Sequence, residues 1–179
     1  MNSSNAYTTL APAWNGKTKY VSFQTPFPHD NKTPLTQQTI HQHWDIDGDA
    51  CNLRFESATR SPRPQVSFLF NVAPKMCNFI GNIHGGCAAT MIDVLSTTIL
   101  LAIGEPGKFS LGGVSRHLNV TYLRPVPHGT EARLTCELVH VGRRLALLKA
   151  EISRVDNGDV CIVGEHEKAN TDPEAGGKV

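Results

Sequence analysis

The residues best equipped for chemistry in this 179-residue chain lie between Asn78 and Asp93: Asn78-Phe-Ile-Gly-Asn-Ile-His84-Gly85-Gly86, then an apolar run broken by one carboxylate. From Gly85 to Ile103 the only charged side chain is Asp93. A charge in such a run is costly unless it is paired or used. Two glycines at a helix start let a carbonyl group approach bare backbone N–H groups, and the helix dipole favours the negative oxygen that develops there. A carboxylate near water supplies the complementary part, a general base, and is the stronger base where its surroundings remove solvent. Each residue also has a plain structural reading: Asp93 satisfied by Thr90, Ser96 or Thr97, His84 as a helix cap, Asn78 as the cap of a turn.

The elements that must position these groups follow from patterning. Residues 1–33 carry Pro12, Pro26, Pro28 and Gly16 without periodicity and read as a flexible or surface-lying arm. Thr33-Pro34 then opens a short helix over 34–47, with Leu35, Ile40 and Trp44 on one side. Cys51 to Thr59 reads as a first strand, Pro62 and Pro64 as a break, and Val66, Phe68, Phe70 and Val72 as alternate positions of a half-buried second strand. The apolar helix follows and ends at Gly104 to Gly107. Four more strands are expected over Ser110–Arg124, Ala132–Leu138, Leu145–Val155 and Val160–Lys168, the last two joined at Asn157-Gly158. Residues 170–179 read as a disordered tail, leaving one domain over 34–169 with its core at 50–168. A helix apolar on nearly every side must be surrounded, and a curved antiparallel sheet wrapped round it would do that. The fold class is therefore α+β.

Bulk properties narrow the function classes. The net charge of +1 suggests no nucleic-acid surface, and mean hydropathy of −0.23 describes an ordinary globule. The apolar helix approaches membrane-spanning length but holds Asp93, two glycines and four hydroxyl residues, so a core helix is expected and no stable membrane insertion. Five cysteines, Cys51, Cys77, Cys87, Cys136 and Cys161, are odd in number and lack Cys-x-x-Cys spacing, which argues for a reducing compartment without a zinc site or disulfide framework. Cys87 near a helix start could serve as a nucleophile, but a small buried residue is the plainer reading. No metal or other cofactor is expected. The cytoplasm is the expected location; the absence of acidic residues before Asp30 would also suit a mitochondrial presequence, although the first arginine is Arg54.

Three stretches carry a resemblance: Asn78-x-x-Gly81-x-x-His84-Gly85-Gly86 with Asp93; Ser115-x-x-Leu118-Asn119-Val120-Thr121-Tyr122-Leu123-x-Pro125; and Gly142-Arg143-Arg144-Leu145-Ala146. Together they resemble the phenylacetate-type and animal branch of the hot-dog acyl-CoA thioesterase family. The resemblance implies a hot-dog fold and hydrolysis of an acyl-CoA thioester to free acid and CoA. It implies Asp93 as nucleophile or general base, Asn78 holding water or substrate, the Gly85 N–H polarising the carbonyl, His84 assisting, and Ser115 completing the cluster. For the CoA phosphates, Arg143, Arg144 and His140 sit in a suitable turn, with Arg124 and Arg116 as further cations; each is equally readable as a surface charge. His117 stands where some relatives have an acidic residue. His29, His41, His43, His128 and His166 receive no role.

Helix geometry adds a constraint, because nine residues rise about 13 Å and turn through about 900°, so His84 and Asp93 cannot grip one carbonyl within a chain. A two-fold dimer resolves this by facing Asp93 and Ser115 of one subunit with Asn78, His84 and Gly85 of the other, as the resemblance implies. A homodimer or homotetramer is expected. The alternatives are a thioesterase for a carrier-protein-bound acyl or polyketide chain, a hot-dog hydratase, and a non-catalytic acyl-CoA binder.

Overall fold

The computed structural model describes residues 48–173; the arm over 1–33 and the short helix over 34–47 fall outside the described residues. Six strands and one long helix follow in the order β1 (Arg54–Thr59), β2 (Gln65–Asn71), α1 (Gly85–Ile103), β3 (Val114–Tyr122), β4 (Glu131–Val141), β5 (Leu145–Arg154) and β6 (Val160–Ala169). The strands form one antiparallel sheet in the order β1-β2-β4-β5-β6-β3, with α1 packed across it in the hot-dog arrangement. Alternation explains the inner face. Phe68 and Phe70 of β2, Leu134 of β4, and Leu148 and Ile152 of β5 are buried, each large side chain contributing roughly 1.5–3 kcal/mol. From the helix, Met91, Ile92, Leu95, Ile99 and Leu100 meet them.

The sheet wraps α1 as the α+β expectation has it, but it does not close, and one face of the helix is left less covered. Ala89, Asp93, Val94, Thr97 and Leu101 stay half-buried, because a six-stranded sheet with two free edges does not close. One of those edges is β3, paired only with β6 and exposed along most of its length.

Local departures from the sequence reading have local causes. The first strand starts at Arg54 rather than Cys51, because residues 48–52 form a turn with Asn52 at φ 49. Ser110 to Gly113 is a turn and not strand, with Phe109, Gly112 and Gly113 all at positive φ. Residues 155–159, rather than a two-residue turn, connect β5 to β6. The chain beyond β6, read as disordered from residue 170, is tied down at its start. The Asn170 side chain accepts from the Phe109 N–H and donates to Gly107 and Arg143 carbonyls, and the Asp172 carboxylate accepts from the N–H groups of Ser110 and Leu111.

Candidate active site

Helix α1 begins at His84, whose extended backbone and side chain make it the N-cap: Nδ1 accepts the Gly86 N–H at 3.0 Å. The entry is braced by His84 N–H to the Met76 carbonyl at 2.7 Å and Ile83 N–H to Val126 at 2.9 Å. The N–H groups of Gly85 and Cys87 meet no acceptor among the described residues, so the helix start presents free donors. Tyr122, at the end of β3, donates its hydroxyl to the Gly85 carbonyl at 2.7 Å, and a Cβ on Gly85 would lie 3.1 Å from the tyrosine ring. Glycine here permits that close approach. Asn78 spends its Oδ1 on the N–H groups of Ile80 and Asn82, both at 3.1 Å, holding the loop that leads into the helix. Its turn-capping reading is thus satisfied within the protomer.

Asp93 stands nine residues along the helix, with 39% of its side chain exposed. It is therefore not the sealed carboxylate that its apolar neighbours suggested. Its Oδ1 accepts the Ser115 hydroxyl at 2.6 Å and lies 3.2 Å from His166 Nε2, while Oδ2 accepts no hydrogen bond among the described residues. Ser115 reaches this position through a β-bulge at Ser115–His117. Leu118 and Val120 pack toward the core, so strict alternation would turn Arg116 inward; the extra residue turns Ser115 inward instead. Arg116 goes outward to pair with Glu167, and His117 is exposed opposite Glu167.

His166, given no role from sequence, lies at the centre of this cluster. It is fully buried, with Nε2 2.9 Å from Ser115 Oγ and Nδ1 2.8 Å from Ser96 Oγ. Burial pushes its pKa down to about 4, with the nearby Lys168 charge lowering it further and Asp93 opposing, so the ring is neutral near pH 7. Hydrogen-bond direction then fixes the tautomer. Ser115 gives its proton to the carboxylate, so its oxygen accepts from His166 Nε2–H, and Nδ1 accepts from Ser96. A directed chain, Ser96 to His166 to Ser115 to Asp93, converges on one oxygen of the carboxylate and leaves the other for water. The signal was present in β6, where alternation from Ile162 through Gly164 places His166 and Lys168 on the core face.

Asp93, Ser115 and His166 are thus brought together, as are His84, Gly85, Asn78 and Tyr122, but the two groups occupy different parts of α1. His140, Arg143 and Arg144 are exposed at the β4–β5 turn, beside the end of β6 that pairs with Val114 and Ser115. Asn170 braces that turn through the carbonyls of Arg143 and Arg144. Arg124 lies at the opposite end of β3 and donates to the Val160 carbonyl at 2.8 Å, so it does not join the other three cations in one protomer. Cys87 is half-buried, and burial with Cys77 nearby pushes its thiol pKa up, away from the range of a nucleophile.

The model of the family described as the thioesterase superfamily matches residues 80–161. Acyl-coenzyme A thioesterase 13 of Homo sapiens is 33% identical over 93 residues, 51% of this chain and 62% of that protein. The chain thus spans less than two thirds of the length of the curated relatives it matches first. Zebrafish thioesterase superfamily member 2 superposes with a TM-score of 0.61 at 26% identity, covering 76% of this chain and 99% of that one. The Escherichia coli PaaI protein of the phenylacetic acid degradation operon, at 17% identity and a TM-score of 0.59, covers 69% of this chain and 86% of its own and shares the fold. The family match runs from the loop before α1 to the start of β6, and the architecture around it is shared with the zebrafish protein, so the chain is similar to thioesterase-superfamily proteins and has their hot-dog fold.

Proposed function

We propose that the protein hydrolyses acyl-CoA thioesters, with Asp93 as the base that activates water and the helix start at Gly85 as the donor for the carbonyl oxygen. One observation carries the reading. The carboxylate has one oxygen held by Ser115 and His166 and the other unbonded and accessible, the arrangement a water-activating base requires. The name of the human relative, an acyl-coenzyme A thioesterase, agrees with that chemistry.

The reaction needs both halves at one carbonyl, and within a protomer Gly85 and Asp93 are separated by roughly two helical turns. A two-fold pairing of protomers along the edge strand β3 would assemble a complete site, because β3 contacts one half-site at each end, through Ser115 to Asp93 and through Tyr122 to Gly85. Exposed Val114, Tyr122 and Leu123 at the ends of β3, with Phe79 and Ile80 in the loop before α1, are apolar residues suited to a partner protomer and an acyl chain. The carbonyl of the thioester would sit against the free N–H of Gly85, whose dipole stabilises the tetrahedral oxyanion, while water held on Asp93 of the other protomer attacks. CoA phosphates would meet His140, Arg143 and Arg144, with Arg124 serving the Gly85 half.

The test is release of free CoA thiol from a panel of short, long and aromatic acyl-CoAs, with the same acyl groups on a carrier protein in parallel. Turnover of acyl-CoA supports the proposal. Turnover confined to the carrier-bound chains moves the substrate class, and calorimetric binding of acyl-CoA without turnover replaces hydrolysis by binding.

A further inference from the structure

Lys168 is an unusual residue for its place. It lies on the core face of β6, two positions after His166, with 4% of its surface exposed. No carboxylate stands within ion-pair distance of it among the described residues; its ammonium donates to Thr97 Oγ1 at 2.8 Å. Thr97 in turn donates to the backbone carbonyl of Asp93 at 2.8 Å, so the cation is linked to the turn of α1 that carries the carboxylate. The cover over this end is close-fitting. Gly112, at φ +73, packs so tightly that a Cβ there would come within 2.8 Å of Thr97 Cγ2. A buried lysine normally costs stability unless its charge has a use.

We infer that Lys168 is a positioning residue for the Asp93 centre: a sealed cation that keeps His166 from taking a second proton, and so keeps the Asp93 carboxylate free of an imidazolium partner. The inference rests on the reading of Asp93 as the base.

The geometry supplies the reason. His166 Nε2 already points at Ser115 and at Asp93 Oδ1, at 2.9 and 3.2 Å. A second proton on Nδ1 would reverse the Ser96 hydrogen bond, the hydroxyl then accepting instead of donating, and would place a full positive charge against the carboxylate. The resulting ion pair would neutralise the charge that the base needs. The neighbours of His166 come from α1, β3 and β5. From α1 come Ser96 and Asp93, from β3 Ser115 and Leu118, and from β5 the apolar Leu148, with Ala146 beside Lys168. Glu165 and Glu167 alternate to the other face of β6, where Glu167 pairs with Arg116. Asp172 is engaged with the N–H groups of Ser110 and Leu111. Lys168, two positions along β6 and on the same buried face as His166, thus brings a cation to the side of the ring, where it disfavours the imidazolium as burial does.

The test reads His166 directly by NMR titration of histidine ring nitrogens, with the His166 signal assigned by its loss in His166→Gln. In the wild type His166 stays neutral down to about pH 5, whereas in Lys168→Met its midpoint rises by about one unit or more, and Lys168→Arg restores the low value. The acid limb of kcat/KM moves up in pH with the Met variant and returns with the Arg variant. Should Lys168→Met not fold, Lys168→Gln carries the same expectation. An unchanged His166 midpoint in a folded, charge-free variant overturns the inference, as does a wild-type midpoint near 6.5. The titration needs no turnover, so an inactive protein that shows the shift separates this inference from the thioesterase reading, and an active one without it refutes Lys168 alone.

Discussion

Two variants that each destroy a different half of the proposed site should restore one another when mixed. Asp93→Asn keeps the shape that Ser115 and His166 contact but removes the base. Gly85→Val adds a branched side chain at the free helix start, where even a single Cβ would come 3.1 Å from the Tyr122 ring. If the base of one protomer works with the helix start of the other, each mixed dimer holds one intact site and one doubly altered site. Random pairing of equal amounts makes about half of all dimers mixed, and one site in two is then functional, so recovery is about a quarter of wild-type activity. The assay is thiol release after the two purified variants are unfolded together and refolded, with each parent refolded alone as control and checked for native circular dichroism. Activity of the mixture no greater than the mean of the two parents would refute a shared site and require both halves to meet within one chain.

Other consequences follow from the same contacts. Ser115→Ala removes a hydrogen bond to a carboxylate, an interaction of about 1.5–3 kcal/mol, so kcat/KM should fall by roughly 10- to 150-fold if the bond is fully expressed in the transition state. Steady-state kinetics with urea unfolding as control measures it. Replacing Arg143 and Arg144 together by Gln should raise KM for acyl-CoA with little change in kcat, and the effect should shrink as salt is added. Stability should also depend on His166. Its folded pKa of about 4 lies below the ordinary 6.5, so the unfolded chain takes up the proton first and stability falls as pH drops from about 6.5 toward 4. Urea midpoints across that range should slope more steeply in the wild type than in His166→Gln.

Sequence made the scaffold legible because its periodicities are strong. The long, mostly apolar run of α1 and the alternation in β2 and β4 each dictate one element, and Gly104 with Pro106 marks the helix end. The separation of His84 from Asp93 was also legible, since helix rise and rotation follow from residue count alone. His166 was not, because a histidine far from Asp93 in sequence shows no link to it until β6 is laid beside β3 and under α1. Even so, the alternation Ile162, Gly164, His166, Lys168 placed it on the core face, and a polar residue there calls for partners. The inward turn of Ser115 depends on a bulge, which pattern reading does not register. The open face of α1 depends on how far six strands can curve, a property of the assembled sheet rather than of any segment.

The most direct measurement is the rate of acyl-CoA hydrolysis by wild type and Asp93→Asn at equal concentration, with folding of both verified. If Asp93 activates the water, the wild type turns over and the variant loses about 10²- to 10⁴-fold in rate while keeping its structure. Equal rates in the two proteins would contradict the assignment of the base and the account of the site built around it.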